Sequence, residues 1–369
     1  MQRISQTLRE NWFYLLAAAF LVIMPHLVGW LTGSSPFGVP RGERVIMRGE
    51  SPFWMSVFIE IFALAVLVMS YNLMFGFTGV ISFGHALFFG LGGYIVGMMW
   101  QYSGMEANLG FVVGVLLTLA ISGVIGLLIG LVTLRLRGVY FAIFTLAIAE
   151  MVWIFIGRWT VTNGEDGFSI SAMPAWLDPS QNRLNLYYLG RVLVVFTCLF
   201  IRRLVNSPTG TVFQGIRENE ERAQTIGYHT LRYKLVAIII AAMLAGLAGV
   251  LHGSLNKKLG PEMFSVGYTV DSLLMTIIGG VGTFTGPVMG AAGLHLLNTQ
   301  FRDSVLVIGD TSINIGDSWL LIQGVIFIVV VLVFPYGIVG TWRRWQERFQ
   351  VRRAPPEPEK HVVDAKSLS

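Results

Sequence analysis

The chain has few charged residues. Only 13% of its 369 residues are Asp, Glu, Lys or Arg, about half of the roughly 25% that is usual in soluble domains. So few polar side chains cannot cover the 54% of residues that are hydrophobic, which excludes a soluble globule of this size, a disordered chain and a coiled coil. Cysteine is scarcer still, because Cys198 stands alone; this excludes an internal disulfide and a metal site built from cysteines.

Long apolar stretches account for the shortage of charge. Each is about 20 residues long, enough to cross a hydrocarbon core of about 30 Å; they lie at 12–31, 53–75, 78–101, 109–133, 138–157, 186–205, 235–256 and 319–341. A further apolar region, 268–300, is interrupted by glycines and divides into two halves too short to span alone. The sequence therefore predicts an all-α polytopic membrane protein with about eight full spans plus one broken or re-entrant helix pair.

The distribution of Lys and Arg predicts the orientation. Basic residues concentrate in 202–234 and after residue 342, and cytoplasmic segments of membrane proteins collect Lys and Arg. The same rule explains the net charge of +5, so a nucleic-acid partner is not expected. Because both basic segments then lie on one side, the broken region must make an even number of crossings. We expect an N-terminal span and external loop at 1–52, a transmembrane core at 53–341, and a basic, disordered cytoplasmic tail at 342–369.

The loop 206–233 is the longest polar segment between spans. Ser207 and Pro208 favour a helix start, since a hydroxyl can cap free amides and proline suits the first turn. Gly227 favours a helix stop. Between these residues, opposite a charged face, four apolar positions recur at near-helical spacing: Val212, Ile216, Ala223 and Ile226. The pattern predicts one short amphipathic helix on the cytoplasmic face, at about 209–227, which is either a solvated connector or a docking surface.

Four segments resemble one family when they are read in order. They are YNLMFGFTGVISFGHALFFGLGGY (Tyr71–Tyr94), LRGVYFAIFTLAIAEM (Leu136–Met151), SPTG with IRENEERAQTIGY (207–228), and IIGGVGTFTGPVMGA (Ile277–Ala291). Together they resemble the permease subunits of branched-chain amino acid ABC importers, from about Asn72 to Gly340. The permeases of urea ABC importers share these motifs.

The resemblance implies a multi-pass transport subunit of the bacterial inner (plasma) membrane with no cofactor. It implies four kinds of partner: a second homologous permease subunit, two cytoplasmic ABC ATPase subunits, an extracytoplasmic substrate-binding protein and the lipid bilayer. The loop 206–233 would be the coupling segment that sits in a cleft of an ATPase. By position in the family motif, the coupling residues are Arg217, Glu218, Glu220, Glu221, Arg222 and Gly227.

Two glycine-containing breaks at membrane depth are candidates for the substrate pathway. Freed backbone groups are tolerated there only against protein or a water-filled cavity. The alternative is that the glycines only permit tight helix crossings. The candidate pathway residues are Ser82, Gly84, His85, Gly279, Gly280, Gly282, Thr283 and Gly286.

Ionisable residues within the spans form a separate group of candidates. Glu60 and Glu150 are costly in a membrane unless they are paired or face water. Asp271 is expected at the N-terminus of a half-helix, where a carboxylate is electrostatically favoured. The histidines in or near spans lack the spacing of a metal site; they are His26, His85, His252 and His295.

The motifs that are missing bear on function. No Gly-x-x-x-x-Gly-Lys-Ser/Thr loop occurs, so the chain is expected neither to bind ATP nor to be an enzyme. The leading expectation is import of branched-chain or other hydrophobic amino acids by alternating access that partner ATPases drive. The alternatives are a urea or short-chain amide importer permease, an autonomous channel or secondary carrier with Glu60 or Glu150 as a proton site, and an intramembrane enzyme.

Overall fold

Most of the described chain is helical. The computed structural model describes residues 20–41, 44–133, 135–136, 138–301, 305–308, 311–314, 319–335, 337–342 and 345. Within them, six helices are long and apolar enough to cross a membrane: Glu50–Thr78, Ala107–Thr133, Val139–Gly157, Arg183–Val205, Thr230–Asn256 and Leu321–Trp342. The predicted all-α polytopic fold is confirmed. Most of the predicted tail, and the first part of the predicted N-terminal region, lie outside the described residues.

The elements follow one another in this order. The helices are α1 (Phe20–Thr32), α2 (Glu50–Thr78), α3 (His85–Tyr102), α4 (Ala107–Thr133), α5 (Val139–Gly157), α6 (Arg183–Val205), α7 (Pro208–Glu218), α8 (Glu220–Thr225), α9 (Thr230–Asn256), α10 (Val266–Gly279), α11 (Gly286–Phe301) and α12 (Trp319–Val333). Three antiparallel strand pairs lie in the connections: β1 (Val39–Arg41) with β2 (Arg44–Ile46), β3 (Phe168–Ser169) with β4 (Lys258–Leu259), and β5 (Val305–Ile308) with β6 (Thr311–Asn314).

The link between α2 and α3 differs from the apolar pattern. Helix α2 runs on to Thr78 and is closed by Gly79, which has a φ of 74° and donates its N–H to carbonyls of the last turn. Helix α3 therefore begins at His85, seven residues after the predicted start at 78. Glycine adopts this left-handed conformation readily and can therefore end a helix. The apolar pattern does not show where such a helix end lies.

Helices α2 and α9 form the centre of the molecule. Every residue of α2 from 61 to 74 is buried, as expected for a helix that is apolar on all sides. A Cβ on Gly249 of α9 would overlap the carbonyl oxygen of Phe89 in α3, so these helices cross at a distance that only glycine permits. Helix α4 packs through small or hydroxyl residues at every fourth position, namely Gly110, Gly114, Thr118, Ser122, Gly126 and Gly130.

The broken region forms a hairpin of two short helices, α10 and α11. Gly279 lies beside Gly286, and Gly290 lies beside the carbonyl of Met275, so the two helices run antiparallel. With 14 and 16 residues, neither helix reaches about 30 Å at 1.5 Å per residue. Residues 280–285 connect the helices and are called the hairpin tip. Two short antiparallel helices are the arrangement that the sequence predicted for the broken region, and the number of crossings that they make stays a prediction.

The predicted cytoplasmic helix is two helices, because the chain turns at Asn219. The Asn219 side chain accepts a hydrogen bond from the backbone N–H of Arg222 at 2.9 Å and so caps α8. Ser207 precedes α7 as predicted, but its hydroxyl donates to the carbonyl of Leu204 at 2.6 Å instead of capping the helix. Gly227 ends the segment with a φ of 99°, in the left-handed region that favours glycine.

Candidate functional site

Helix α7 is anchored by its apolar face. Phe213 and Ile216 are buried, and the Phe213 ring meets Tyr233 of α9 edge-on, with 6.4 Å between ring centroids. The end of the molecule that carries α7 and α8 is called the inner end, and the opposite end the outer end. Helices α2 and α10 run from the outer to the inner end, whereas α9 and α11 run outward.

Helix α8 is tied to α9 by an ion pair. The Lys234 ammonium lies 2.6 Å from a carboxylate oxygen of Glu220, and Ala223 is the buried residue of α8. Glu220, one of the predicted coupling residues, is therefore occupied within the chain. The short helix has a fixed position relative to the centre of the molecule because α9 is a central element.

The other predicted coupling residues of this region are on the surface. Glu218, Glu221, Arg222 and Gly227 are exposed. Beside them Ile226 and Tyr228 are 70% and 44% exposed. The sequence pattern had placed Ile226 on the apolar face of one helix, and this was wrong because the turn at Asn219 changes the direction of the second helix. Exposed apolar side chains among charges are typical of a protein-binding surface.

Arg217 connects α7 to the hairpin tip. Its guanidinium donates a hydrogen bond to the carbonyl of Gly76, near the end of α2. The same guanidinium lies so close to Gly282 that a Cβ there would collide with it. Arg217 therefore lies between the end of α2 and the hairpin tip. A displacement of α7 would therefore act on both the end of α2 and the hairpin tip.

Asn72 holds the hairpin tip from the other side. Its amide oxygen accepts from the N–H of Gly282 at 2.9 Å, and its amide nitrogen donates to the carbonyl of Thr283, also at 2.9 Å. The broken backbone at the tip is thus satisfied by one amide of α2, which is the kind of protein partner that irregular backbone needs at membrane depth. Asn72 was not among the site residues predicted from the sequence, although an amide within an apolar run was a signal that could have identified it.

The predicted pathway residues of the tip divide into two groups. Gly282 lines a cavity of about 520 Å³ at the inner end, together with Arg217, Gln214 and Phe284. The Thr283 hydroxyl instead donates to the carbonyl of Gly280 at 2.7 Å and stabilises the turn. The remaining glycines of this group are buried, namely Gly279, Gly280 and Gly286.

The other predicted break, 82–85, lies in packed surroundings. His85 is 1% exposed and its Nε2 is 2.8 Å from the Ser70 hydroxyl of α2. Ser82 accepts a hydrogen bond from the N–H of Gly84 at 3.2 Å. The adjoining void has a volume of about 10 Å³, enough for about one water molecule. These three residues do not meet the residues of the hairpin tip.

A larger cavity of about 660 Å³ lies at the outer end between α2, α9, α10, α11 and α12; we call it the outer cavity. His252 Nδ1 and Glu60 Oε1 are 2.6 Å apart at its wall, which provides the partner that an intramembrane carboxylate needs. His295 also lines the cavity. The sequence singled out these residues separately, but Glu60 and His252 are 192 positions apart, and only the fold brings them together.

Asp271 also lines the outer cavity, and its expected role was wrong. Helix α10 begins at Val266, where the Ser265 hydroxyl accepts from the N–H of Gly267. Asp271 is therefore one and a half turns inside the helix, too far from the N-terminal amides for a capping role. Its carboxylate instead accepts from the Gln323 amide of α12 at 3.1 Å. In the described part of the chain, no group of three or more His, Cys, Asp or Glu could hold a metal ion.

An ion pair closes the outer end. The Lys257 ammonium is 3.0 Å from the carboxylate of Asp178, which joins the loop before α6 to the end of α9. Burial alone raises the pKa of the Asp178 carboxyl. The backbone N–H of Ser180 and the Lys257 ammonium together lower the pKa by more than burial raises it, so the pKa lies below its ordinary value.

Comparison with known proteins identifies the family. Residues 54–331 match the family model described as the permease component of the branched-chain amino acid transport system. The chain belongs to this family. The resemblance carried by the four sequence motifs is confirmed, and so is the predicted location as a multi-pass protein of the inner membrane.

Individual relatives agree with the family match. The high-affinity branched-chain amino acid transport system permease protein LivM of Salmonella typhimurium is 29% identical over 273 residues, 66% of this chain and 63% of that protein. The chain thus spans less than two thirds of the length of this relative. A probable LivM of Methanocaldococcus jannaschii is 24% identical over 61% of this chain and 74% of its own. LivH of Salmonella typhimurium is 22% identical over 75% and 91%. No solved structure matches the chain significantly.

Proposed function

We propose that the chain is the transmembrane permease subunit of an ATP-driven ABC importer for branched-chain or other hydrophobic amino acids. The observation that carries this proposal is the family match across residues 54–331, which includes the inner-end helices α7 and α8 as well as the hairpin α10–α11. The ATP would be hydrolysed by partner subunits, and alternating access would move solute past the hairpin tip.

The geometry at the inner end supports a coupling role for α7 and α8. Their exposed surface combines the charges of Glu218, Glu221 and Arg222 with apolar Ile226 and Tyr228. Such a surface suits docking in the cleft of an ATPase. From α7, Arg217 reaches Gly76 and the hairpin tip. A movement of the docked helices would therefore pass directly to the predicted pathway break.

The partners follow from the same proposal. A second permease related to this chain would complete the translocation unit, which agrees with the similarity of the chain to both LivM and LivH proteins. An extracytoplasmic binding protein would deliver the solute to the outer end. The predicted pathway residues at 82–85 and 279–286 remain proposals for the route, together with the cavity residues described above.

The proposal is tested by transport in cells. The gene is deleted and uptake of radiolabelled leucine, valine and urea is measured at low concentration, with plasmid complementation as the control. Loss of leucine and valine uptake, restored by the plasmid, is expected. Loss of urea uptake alone would favour the urea or short-chain amide importer. Uptake that collapses with the proton gradient while ATP is maintained would favour a secondary carrier and contradict the proposal.

A further inference from the structure

The outer cavity has the size of a binding site for a small molecule. Its volume of about 660 Å³ lies within the roughly 300–1,000 Å³ that such sites occupy. Five helices supply its walls, and its mouth carries polar residues beside the apolar Val57, Leu255 and Met263. The polar residues are the ones that can hold a charged group. They include Ser56, Asn256, Lys258 and Glu262.

The directions of the helices arrange the lining in layers. Helix α2 runs inward past Glu60 to Leu64, and α10 runs inward past Asp271 to Met275. Helix α11 runs outward, so Leu294 lies deeper than Asn298. Below the polar mouth there is accordingly an ionisable layer formed by Glu60, His252, Asp271 and His295. The deepest layer is an apolar floor of Leu64 and Met275, each about one helical turn further in than Glu60 and Asp271. Leu294 adds an apolar side chain beside His295, and the three apolar residues are 6%, 4% and 5% exposed.

Two oxygen acceptors in the cavity wall lack a cationic partner. Glu60 is paired with His252, whereas Asp271 accepts only the neutral amide of Gln323 and meets no Lys, Arg or His within salt-bridge distance in the described residues. The Asn298 Oδ1 atom is buried and has no hydrogen-bond partner in the same part of the chain. Buried acceptors are normally satisfied. A ligand that carries a charged N–H donor would satisfy both.

We propose that the outer cavity is a transit site for a small zwitterion with an apolar side chain. The ligand's ammonium group donates to Asp271 and Asn298, its carboxylate points to the mouth that carries Lys258, and its side chain lies against Leu64, Met275 and Leu294. The identity of the solute as a branched-chain amino acid rests on the proposed function. The site itself rests on the cavity, its layers and its two acceptors.

The experiment measures solute binding in the absence of the binding protein. The full chain, purified with its permease and ATPase partners in nanodiscs without nucleotide, is titrated with radiolabelled L-leucine. The wild type is expected to bind leucine saturably. Asp271→Asn should weaken the affinity roughly 10-fold to 100-fold, the range for losing one hydrogen bond between charged groups. Asp271→Glu, which keeps the charge, should restore part of the affinity.

Two controls separate the site from general effects. Glu150→Gln removes an intramembrane carboxylate from α5, outside the cavity, and should bind leucine as the wild type does. The amine 3-methylbutylamine should compete with leucine, and 4-methylpentanoate, which lacks the ammonium group, should not. Competition by both compounds alike would overturn the assignment of Asp271.

The failure of this inference is distinguishable from the failure of the proposed function. If the wild type binds no leucine, or if Asp271→Asn binds it unchanged, the transit site is wrong. ATP-dependent leucine uptake by the same complex would in that case leave the importer proposal standing. Conversely, saturable binding that depends on Asp271, without any ATP-dependent uptake, would support the site and contradict the proposed function.

Discussion

Arg217 is the residue through which α7 contacts the centre of the molecule. Its hydrogen bond to the carbonyl of Gly76 and its position against Gly282 involve a side chain that is otherwise exposed. The resemblance to the family grouped Arg217 with the residues expected at the contact with the ATPase. Its contacts suggest instead that it transmits movement from α7 to the hairpin tip.

Replacing Arg217 should therefore uncouple ATP hydrolysis from uptake without dissociating the subunits of the complex. Arg217→Ala is expected to retain the ATPase subunits on co-purification but to lower uptake at least severalfold per ATP hydrolysed, because α7 loses its contact with the tip. Arg203→Ala removes an exposed guanidinium from the same end of the molecule and should change neither quantity. Release of the ATPases from the Arg217 variant would show that this residue is a docking contact after all.

Asp178 should make stability depend on pH. A carboxyl whose pKa is lower in the folded state stabilises the fold above its unfolded pKa of about 3.9, and this contribution is lost as the pH falls through the folded value. Asp178→Asn should lower the free energy of unfolding at pH 7 by about 1.5–3 kcal/mol, the usual contribution of a hydrogen bond to a charged group. The difference from the wild type should begin to shrink as the pH falls below about 4 and should vanish only below the lowered pKa of the folded state.

Thermal unfolding in detergent across this pH range checks the Asp178 prediction. The matched control is Asp166→Asn, at an exposed position of the outer end. This variant should unfold like the wild type at every pH. An Asp178 variant whose deficit persists unchanged at low pH would mean that the ion pair with Lys257 is not the cause.

Single residues were predictable only where their role is local. Gly227 was assigned as a helix stop from residue type alone, and its φ of 99° agrees. The pairing of Glu60 with His252 was not predictable, because it depends on how α2 packs on α9. Asp271 was misplaced for a simpler reason: the helix boundary lies at Val266, five residues before the first strongly polar residue of that stretch.

At the scale of elements, α8 is the part of the surface best suited to test docking. Glu221 is exposed, whereas Glu220 is paired with Lys234. Glu221→Lys should weaken ATPase binding by about 2–5 kcal/mol if its contact is buried in the complex, which is roughly 30-fold to several thousand-fold. Co-purification and ATP hydrolysis measure this effect.

The control for α8 is Glu165→Lys. Glu165 is exposed on the loop after α5, at the outer end, and its reversal should leave ATPase binding unchanged. Unimpaired ATPase binding and stimulation by the Glu221 variant would identify α7 and α8 as a solvated connector.

The crossing of α3 and α9 gives an element-scale prediction about stability. Gly249→Ala places a methyl group against the Phe89 carbonyl, and overpacking of this kind costs about 1–3 kcal/mol. Gly293→Ala in α11 meets nothing within 4 Å and should be neutral, or stabilising by about 0.5–1 kcal/mol because alanine favours helix. Thermal unfolding of both variants in detergent measures the two effects. If Gly249→Ala were as stable as Gly293→Ala, α3 and α9 could separate at no cost in free energy.

Elements as such were largely predictable, and their ends were not. Apolar runs of membrane length produced most of the helices because the bilayer imposes length and hydrophobicity together. The turn at Asn219 was missed because the residues on both sides of it have helical spacing. Gly79 was missed because many glycines of the described chain lie inside helices, so that a glycine alone does not mark a helix end.

At the scale of the whole molecule, two cavities lie at opposite ends of α2. Glu60 and Leu64 line the outer cavity, and Phe77 lines the inner one. Between them α2 is buried on all sides, and Asn72 holds the hairpin tip. Under the proposed function, solute that reaches the floor of the outer cavity would pass to the inner one only when the hairpin moves. Neither cavity could be derived from the sequence, since each is formed by residues from distant segments.

The proposed function requires that ATP hydrolysis by partner subunits drive solute through this chain. The most direct measurement is leucine accumulation in proteoliposomes that contain the chain, its second permease and the ATPases, with the binding protein outside and nucleotide inside. Accumulation with ATP, and none with a non-hydrolysable analogue, is the predicted result. Accumulation of equal extent without ATP, or driven by a proton gradient alone, would contradict it.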